Sequence, residues 1–234
     1  MTLAIIFEDN HLIAVNKPRG LPTQADASGD ADLLTLVKGY LKEKYHKPGA
    51  VYLGLIHRLD RPVGGIVLFA KTSKAASRLS AQVRDGRFRK GYLAIVHGAP
   101  QPAEGRLEHW LVKDTNRNFV SIADDGTPEA KQALLGYRML AARDGKALLA
   151  VMLITGRSHQ IRVQLAAIGH PVVGDEKYGS KSGAAVSDLA LHAAEIRCEH
   201  PIGKGPLSLT LPPAAEGPWL SFDSTLRSNI PIIS

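Results

Sequence analysis

The spacing of apolar residues predicts strands along most of the chain. Short apolar runs bounded by Gly, Pro, Asn or Asp are typical of buried strands. Such runs occupy residues 3–7, 12–15, 51–56, 66–70, 91–96, 106–113, 118–123, 130–140, 147–154, 189–198 and 207–211. Asp144-Gly145 lies between two of these runs and is a dipeptide that favours a two-residue hairpin turn. The pattern therefore indicates a sheet with mostly antiparallel neighbours.

Three segments carry apolar residues at helical spacing. Residues 33–41 follow Asp30 and Asp32, either of which is a suitable N-cap. Residues 75–83 follow a Lys-Thr-Ser cap, and residues 160–168 follow a polar loop. The apolar side of the second helix is expected to contain Ala75, Ala76, Leu79 and Val83. Antiparallel strands with two or three interspersed helices predict an α+β fold rather than a doubly wound sheet.

Two segments lack such a pattern. Residues 180–187 are mostly small, so we expect a mobile loop there. The Pro-rich tail from Pro212 gives no structural prediction.

Composition points to a partner and a compartment. The chain has 234 residues, of which 44% are hydrophobic, and this is enough to bury a large core. Lys and Arg number 29 against 22 Asp and Glu, and the net charge of +7 favours a polyanion such as nucleic acid. Cys198 is the single cysteine, which excludes an internal disulfide framework. With no signal peptide and no apolar run of membrane length, we expect a cytoplasmic protein.

Asp60 is the strongest candidate for chemistry. It lies in a polar loop between two predicted buried strands, and Pro62 and Gly64-Gly65 turn the backbone behind it. Strands on both sides would hold the carboxylate on a rigid support. The neighbouring Arg58 and Arg61 favour an ionised carboxylate, which can act as a nucleophile or general base. The alternative is a surface salt bridge between Asp60 and one of these arginines.

Two further clusters contain groups that can bind an anionic substrate. Tyr92 starts a strand after the basic run that ends at Lys90, although a strand aromatic is also an ordinary core residue. A loop entering the third predicted helix brings together Arg157, His159, Gln160 and Arg162, where backbone N–H groups attract anions. The alternative there is a capped helix start with solvated arginines.

Other types of site are not expected. His192, Cys198 and His200 lack the paired spacing of a zinc site, so we expect no metal. The chain contains neither a phosphate-binding P-loop nor a nucleophile elbow.

Taken together, these segments resemble the RluA-type family of RNA pseudouridine synthases. The resemblance rests on His57-Arg58-Leu59-Asp60 with the run 65–72, on Lys90-x-Tyr92-x-Ala94, on residues 155–162, on 8–20 and on 169–179. The motifs follow the family's order along residues 5–179. In two places the chain departs from the family: Val63-Gly64-Gly65 replaces Thr-Ser-Gly, and Gln164 stands where His is common.

The resemblance implies an isomerase that needs no cofactor or metal. A uridine is flipped out of the RNA, its glycosidic bond breaks, and the base is reattached through carbon 5. Asp60 would be the catalytic carboxylate, Tyr92 would lie against the base, and Arg162 would pair with Asp60. The carboxylate can attack the base, attack the sugar or remove a sugar proton. Contacts with RNA are expected from His57, Arg58, Lys90, Arg157, His159 and Gln160; His57 is expected mainly to shape the loop.

The resemblance also implies an organisation and a partner. We expect residues 1–234 to form one monomeric catalytic domain with a mixed sheet and a central RNA-binding cleft, without a separate N-terminal RNA-binding domain. The expected partner is ribosomal or transfer RNA. One alternative is a catalytically silent RNA-binding or RNA-folding factor that retains the cleft. Another is an Asp-dependent hydrolase of a phosphorylated small molecule.

Overall fold

A computed structural model describes residues 3–179 and 189–228. The strands in chain order are β1 (Ala4–Glu8), β2 (Leu12–Lys17), β3 (Gly54–Leu55), β4 (Gly64–Ala70), β5 (Arg89–His97), β6 (Glu104–Asp114), β7 (Phe119–Ala123), β8 (Lys131–Arg143), β9 (Lys146–Leu153), β10 (Leu191–Glu199) and β11 (Pro206–Thr210). The helices are α1 (Leu33–Lys44), α2 (Ser73–Arg84), α3 (Gln160–Ala167) and α4 (Asp223–Leu226), and a 3-10 helix spans Gly217–Phe222.

The chain forms two compact units. The first unit contains Met1–Arg89 and Ala193–Leu211, and the second contains Lys90–His192 and Pro212–Ser234. The boundary falls within β10. The expectation of one catalytic domain stays a prediction.

The first unit is built on the strand order β1-β2-β4-β10, with β11 paired to β10 and β3 paired to the end of β4. Every residue of β4 is buried, which explains its continuous apolar sequence. Its core joins the sheet to α2 through Leu12, Ala14, Ile66, Leu68, Leu79, Phe88, Ile196 and Leu209. This core supports both ends of the loop that contains Asp60.

The two helices of the first unit begin at side-chain caps. The Asp32 carboxylate accepts a 3.0 Å hydrogen bond from the Thr35 N–H at the start of α1. Thr72 Oγ1 accepts one of 3.2 Å from the Ala75 N–H at the start of α2. These contacts satisfy N–H groups that have no partner inside the helix.

The predicted apolar side of α2 is wrong at Val83. Val83 is 39% exposed, and the neighbouring Gln82 is buried in its place. The Gln82 side-chain amide donates to the backbone carbonyl of Glu199 and accepts from its N–H, both at 2.8 Å. A buried amide with both ends satisfied can stand at a core position, and apolar spacing alone does not reveal it.

The second unit is an antiparallel sheet in the order β5-β9-β8-β6-β7. The hairpin between β8 and β9 forms at the predicted dipeptide, where Asp144 and Gly145 both have positive φ. Such angles are those of the turn that matches the twist of paired strands. Helix α3 packs on β6 and β7, and its Val163 belongs to a buried apolar cluster with Leu111, Val120 and Ala133.

The predicted α+β class is confirmed, and one predicted strand is much shorter than expected. Residues 51–56 form only the two-residue β3, because β3 pairs with just the last two residues of β4. Val51 and Leu53 are buried nevertheless, so their apolar character reflects packing and not strand pairing.

The tail after Pro212 has structure that the sequence did not predict. Trp219 and Phe222 of the 3-10 helix are fully buried, and the guanidinium of Arg143 lies over the Phe222 ring. The predicted mobile loop at 180–187 lies outside the described residues. None of the helices within the described ranges has the length and apolar composition that a membrane crossing requires.

Candidate active site

The backbone at Asp60 is fixed by Thr23. Thr23 Oγ1 donates a 2.9 Å hydrogen bond to the carbonyl oxygen of Leu59 and accepts one of 3.1 Å from the Leu59 N–H. Both groups are buried, and Leu59 is only 6% exposed. One hydroxyl therefore satisfies both polar backbone groups of the residue before Asp60 and sets the direction in which that carboxylate leaves the chain.

Lys17 holds the same loop through hydrogen bonds from its buried side chain. Its side chain is fully buried at the end of β2, and its ammonium donates to the carbonyl oxygens of Pro18, Leu21 and Arg61 at 3.0, 2.7 and 3.1 Å. Burial lowers the pKa of Lys17 to about 7, although the negative charge of Asp60 acts in the opposite direction. The two charges are therefore electrostatically coupled, and Lys17 joins the residues before and after Asp60.

Arg61 closes the loop on its exposed side. Its guanidinium donates to Gly20 O at 2.9 Å and to Ser28 Oγ at 3.3 Å and forms an ion pair with Asp30. Gly20 N–H in turn donates to Arg61 O at 2.9 Å. The guanidinium of Arg61 is thus used to hold the loop 20–30. Arg58 is exposed and forms no ion pair within the described part of the chain.

His57 is bonded to the strand that follows the loop, and its expected contact with RNA stays a prediction. Its Nε2 accepts a 3.1 Å hydrogen bond from the Leu68 N–H of β4, and its ring lies 5.4 Å from that of Phe88. Because Nε2 accepts, the ring proton of a neutral imidazole is on Nδ1. His57 therefore ties the loop to the neighbouring strand.

The stretch Val63-Gly64-Gly65 ends the loop and begins β4. The Val63 N–H donates to the Asp60 carbonyl oxygen at 3.0 Å, which closes a tight turn over Arg61 and Pro62. Gly65 has a φ of +120°, and a Cβ at this position would overlap the backbone of Ala193. The turn therefore closes through backbone groups, without the two hydroxyls that the family pattern provides.

In the second unit, Lys90 and Tyr92 lie on the same face of β5, two residues apart. Tyr92 is 6% exposed. The Lys90 ammonium lies so close to Gly156 that a Cβ there would be 2.8 Å from it. Burial lowers the pKa of Lys90. The pair thus combines an aromatic ring with a desolvated cation.

Gln160 organises the loop that precedes α3. Its Oε1 accepts from Thr155 Oγ1 and from the Arg157 N–H, at 2.8 and 2.9 Å. Its Nε2 donates to Leu134 O and to Gln164 Oε1, both at 3.0 Å. The amide is thus fully engaged within the protein, whereas Arg157 is exposed and uses only Nε, on Gln132 O. An RNA contact by Gln160 stays a prediction.

Arg162 forms a buried bidentate ion pair with Asp175. Its Nε and one terminal nitrogen donate to the two carboxylate oxygens, each at 2.7 Å. The exposed fractions of the two side chains are 7% and 0%. Asp175 Oδ1 also accepts from the N–H groups of Lys177 and Tyr178. Parallel hydrogen bonds between planar groups fix the guanidinium plane as well as its position.

Tyr178 connects this ion pair to His159. Its hydroxyl lies 2.6 Å from His159 Nδ1 and accepts a 3.0 Å hydrogen bond from the Val120 N–H, while the Arg162 guanidinium lies 5.1 Å from the centre of its ring. His159 has a left-handed backbone, with a φ of 52°, at the N-cap of α3. A strained backbone held by this many contacts is typical of a functional site.

Gln164 shows how the chain accommodates its second departure from the family pattern. The side chain is fully buried, and its Nε2 lies 3.0 Å from Ala133 O and 3.1 Å from His109 Nδ1. The amide therefore joins α3 to β8 and β6.

The residues that the sequence singled out fall into two groups. His57, Arg58 and Asp60 belong to the first unit, and Lys90, Tyr92, Arg157, His159, Gln160 and Arg162 to the second. Sequence reasoning gave no role to Thr23, Lys17 or Asp175. Lys17 and Asp175 lie within the motifs that match the family, so the sequence indicated that these positions matter but not which groups they contact. Thr23 lies outside these motifs, and nothing in the sequence indicated its role.

The chain matches the family model described as RNA pseudouridylate synthase over residues 11–167. It is 37% identical over 216 residues to the ribosomal large subunit pseudouridine synthase D of Zymomonas mobilis, covering 86% of this chain and 66% of that protein. It is 32% identical to the dual-specificity RNA pseudouridine synthase RluA of Salmonella typhi, covering 90% of this chain and 93% of that protein.

A solved structure shows the same fold. The structure of human RNA pseudouridylate synthase domain containing 4 superposes with a TM-score of 0.78 at 23% identity, over 96% of this chain and 93% of that one. This similarity concerns the fold alone. The match to the family model and to the curated relatives shows that the chain belongs to the RluA-type family of RNA pseudouridine synthases.

Proposed function

We propose that this chain converts uridine in RNA to pseudouridine, with Asp60 as the catalytic carboxylate. Family membership supports the reaction. The observation that carries the role of Asp60 is the immobilised backbone around it: Thr23 holds Leu59 on one side, and Lys17 and Gly20 hold Arg61 on the other. A catalytic group is effective when its position is fixed before the substrate arrives.

The reaction is an isomerisation, and its atoms balance without a co-reactant. The bond between N1 of uracil and C1′ of ribose breaks, and a bond between C5 and C1′ forms. The proton on C5 leaves, and N1 gains a proton. The target base must leave the stack before these atoms become accessible. In this proposal Asp60 acts at the nucleotide, Tyr92 packs against its base, and Arg162 supplies positive charge.

In the proposed reaction, basic side chains of the second unit bind the RNA, and at least one of them is held in a fixed orientation before the RNA arrives. Asp175 holds the Arg162 guanidinium in one plane, so the arginine has a defined orientation before RNA binds. Lys90, Arg157, His159 and Arg58 are proposed to contact the RNA backbone or base. Lys90 is the best supported of these. Its ammonium has lost part of its hydration through burial, and a negatively charged RNA phosphate would stabilise its positive charge.

We propose that the RNA is ribosomal or transfer RNA and that the protein acts as a monomer in the cytoplasm. The similar proteins from Zymomonas and Salmonella are named for the ribosomal large subunit and for dual specificity. The net charge of +7 suits a polyanionic substrate.

The test is tritium release from RNA labelled at carbon 5 of uridine. Asp60→Asn is expected to abolish release while it leaves RNA affinity within about a factor of two. Asp85→Asn, which changes an exposed carboxylate at the end of α2, is the control and should keep wild-type release. Normal turnover by Asp60→Asn would exclude its catalytic role.

Carbodiimide mapping of pseudouridines, in cells with and without the gene, distinguishes the enzyme from a silent RNA-binding factor. Deletion of the gene is expected to remove at least one mapped pseudouridine. Expression of the wild-type protein in the deletion strain should restore that pseudouridine, whereas expression of Asp60→Asn should not. An unchanged map would favour the silent factor.

A further inference from the structure

Tyr45 presents an immobilised aromatic ring on the surface of the first unit. The ring is 45% exposed, and its hydroxyl donates a 2.7 Å hydrogen bond to Glu8 Oε1. The backbone is fixed as well, because α1 ends here with His46 in the left-handed conformation and with the Lys47 N–H bonded to Lys42 O. A ligand that packs on this ring has little side-chain motion to restrict.

Lysine side chains surround the ring. The ammonium groups of Lys71, Lys44 and Lys47 lie 4.6, 5.5 and 5.9 Å from its centre. The Lys71 side chain is buried, whereas that of Lys44 is 43% exposed. Lys47 is exposed and forms no ion pair within residues 3–179 and 189–228. Two exposed ammonium groups therefore lie close to an exposed aromatic ring.

Glu8 holds this arrangement together. Its two oxygens accept from Lys44 and Lys71, at 2.7 and 2.8 Å, and from the hydroxyls of Tyr40 and Tyr45. Burial by itself raises the pKa of Glu8, but these hydrogen bonds outweigh it and bring the pKa to about 2. One ionised carboxylate thus faces two lysines of the cluster, and Lys47 adds a third positive charge, so the surface is basic at all physiological pH values.

The composition of this surface favours RNA over an anionic membrane as its binding partner. Residues 42–50 are all exposed, and Tyr45 is their only large apolar side chain. An interfacial membrane segment needs a continuous apolar face, which this stretch lacks. A fixed ring with neighbouring cations is the arrangement that binds single-stranded nucleic acid, where bases stack on aromatic rings and phosphates meet lysines.

We propose that Tyr45, Lys44 and Lys47 form an additional RNA contact, in which one unpaired base stacks on Tyr45 and the adjoining phosphates bind the two lysines. The contact rests on the proposed function only for its RNA partner, and it lies in a segment that contains none of the proposed catalytic residues. Because every base has a flat face, this contact is tolerant of sequence and adds affinity for RNA flanking the target uridine.

Fluorescence anisotropy of a labelled 20-nucleotide oligouridylate tests the proposal with the full chain. Tyr45→Ala is expected to weaken binding about 10-fold, as loss of one stacked base does. Lys47→Gln should weaken binding and reduce the salt dependence of the affinity by about 0.7 in the log–log slope, as loss of one phosphate contact does.

Two variants control for structural damage. Tyr45→Phe removes the hydrogen bond to Glu8 but keeps the ring, and should keep wild-type affinity. Tyr52→Ala removes a tyrosine of the same unit that is 49% exposed and should bind the oligonucleotide normally. If Tyr45→Phe or Tyr52→Ala loses as much affinity as Tyr45→Ala, or if Tyr45→Ala loses none, the proposed contact is wrong.

Two more measurements separate this proposal from its alternatives. Failure of the wild type to release tritium from labelled RNA would remove the proposed catalytic function, whereas unchanged anisotropy in Tyr45→Ala would remove only this surface. Vesicles of phosphatidylserine and phosphatidylcholine provide the membrane control. Loss of vesicle binding in Lys47→Gln with unaltered RNA binding would assign the surface to an anionic membrane and overturn the RNA contact.

Discussion

Arg162 and Asp175 form a bidentate ion pair that is almost completely shielded from solvent, with both hydrogen bonds at 2.7 Å. The proposed catalytic arginine is thus oriented by a carboxylate from the loop after α3. Two backbone N–H groups complete the hydrogen bonding of that carboxylate. The Arg162 guanidinium is therefore held in one orientation by groups of its own unit.

Asp175→Asn is expected to destabilise the protein by about 3 kcal/mol, because it leaves a buried guanidinium without its counter-charge. Turnover should fall as well, since Arg162 loses its fixed plane. Urea unfolding followed by circular dichroism measures the first effect, and tritium release the second. Asp223→Asn breaks an exposed pair with Arg227 and should change neither. Wild-type stability in Asp175→Asn would show that the pair does not matter to the fold.

Thr23→Val removes the hydroxyl that bonds both backbone groups of Leu59 while it keeps the shape of the side chain. We expect a loss of about 1–3 kcal/mol in stability from the two unsatisfied buried groups, and a drop in kcat of at least about 10-fold with little change in KM. Thr23→Ser should restore most of the activity. Thr210→Val, at an exposed position on β11, serves as the control. An unchanged kcat in Thr23→Val would contradict the view that this hydroxyl positions Asp60.

The lowered pKa of the buried Lys17 should make the stability of the protein depend on pH. Its pKa is about 7 in the folded protein and near 10.5 in the unfolded chain, so the unfolded chain binds more protons between these values. The free energy of unfolding should therefore rise as pH increases from about 7 towards 10. At lower pH folding must bury a charged ammonium, whereas at higher pH it buries a neutral amine, which costs less.

Lys17→Met checks this dependence by comparison with the wild type and with Lys74→Met, which alters an exposed lysine of α2. Chemical denaturation between pH 6.5 and 10 should show the rise in the wild type and in Lys74→Met, and its loss in Lys17→Met. The methionine variant should also be less stable at high pH, since the neutral amine of Lys17 can still donate two hydrogen bonds to the carbonyl groups around it, whereas methionine donates none. Parallel pH profiles for all three proteins would refute the assignment.

Gly65 cannot be replaced without moving β4 or β10. Its positive φ and the backbone of Ala193 leave no room for a Cβ, so Gly65→Ala should destabilise the protein by more than about 2 kcal/mol or prevent folding. Gly39→Ala, in open space on α1, should instead stabilise by about 0.5–1 kcal/mol. Thermal unfolding of the two variants decides the matter, and similar melting temperatures would contradict the close approach seen at Gly65.

Restoring the family pattern at the same turn tests the first departure. In the double variant Val63→Thr and Gly64→Ser, Gly65 is kept, and both changed residues are buried in the wild type. The turn already closes through the Val63 N–H and the Asp60 carbonyl, so we expect no increase in tritium release and a modest loss of stability from the buried hydroxyls. A clear gain in turnover would show that the missing hydroxyls limit this enzyme.

The sequence by itself determined the α+β class, three helices, the caps of the first two, the β8–β9 hairpin and the family. These features depend on local chemistry: apolar spacing, capping side chains, turn dipeptides and motifs in a fixed order. The Asp60 loop was found for the same reason, because apolar runs and a Pro-Gly turn frame it in the sequence.

Only the tertiary structure decided what holds the candidate site in place. Thr23 is 36 residues from Leu59, and Asp175 is 13 residues from Arg162, so no local pattern connects them. Gln82 and Lys17 are polar residues at core positions, and their burial is stable only because backbone carbonyls from elsewhere accept their hydrogen bonds. A sequence records which groups need partners; the fold determines which partners they find.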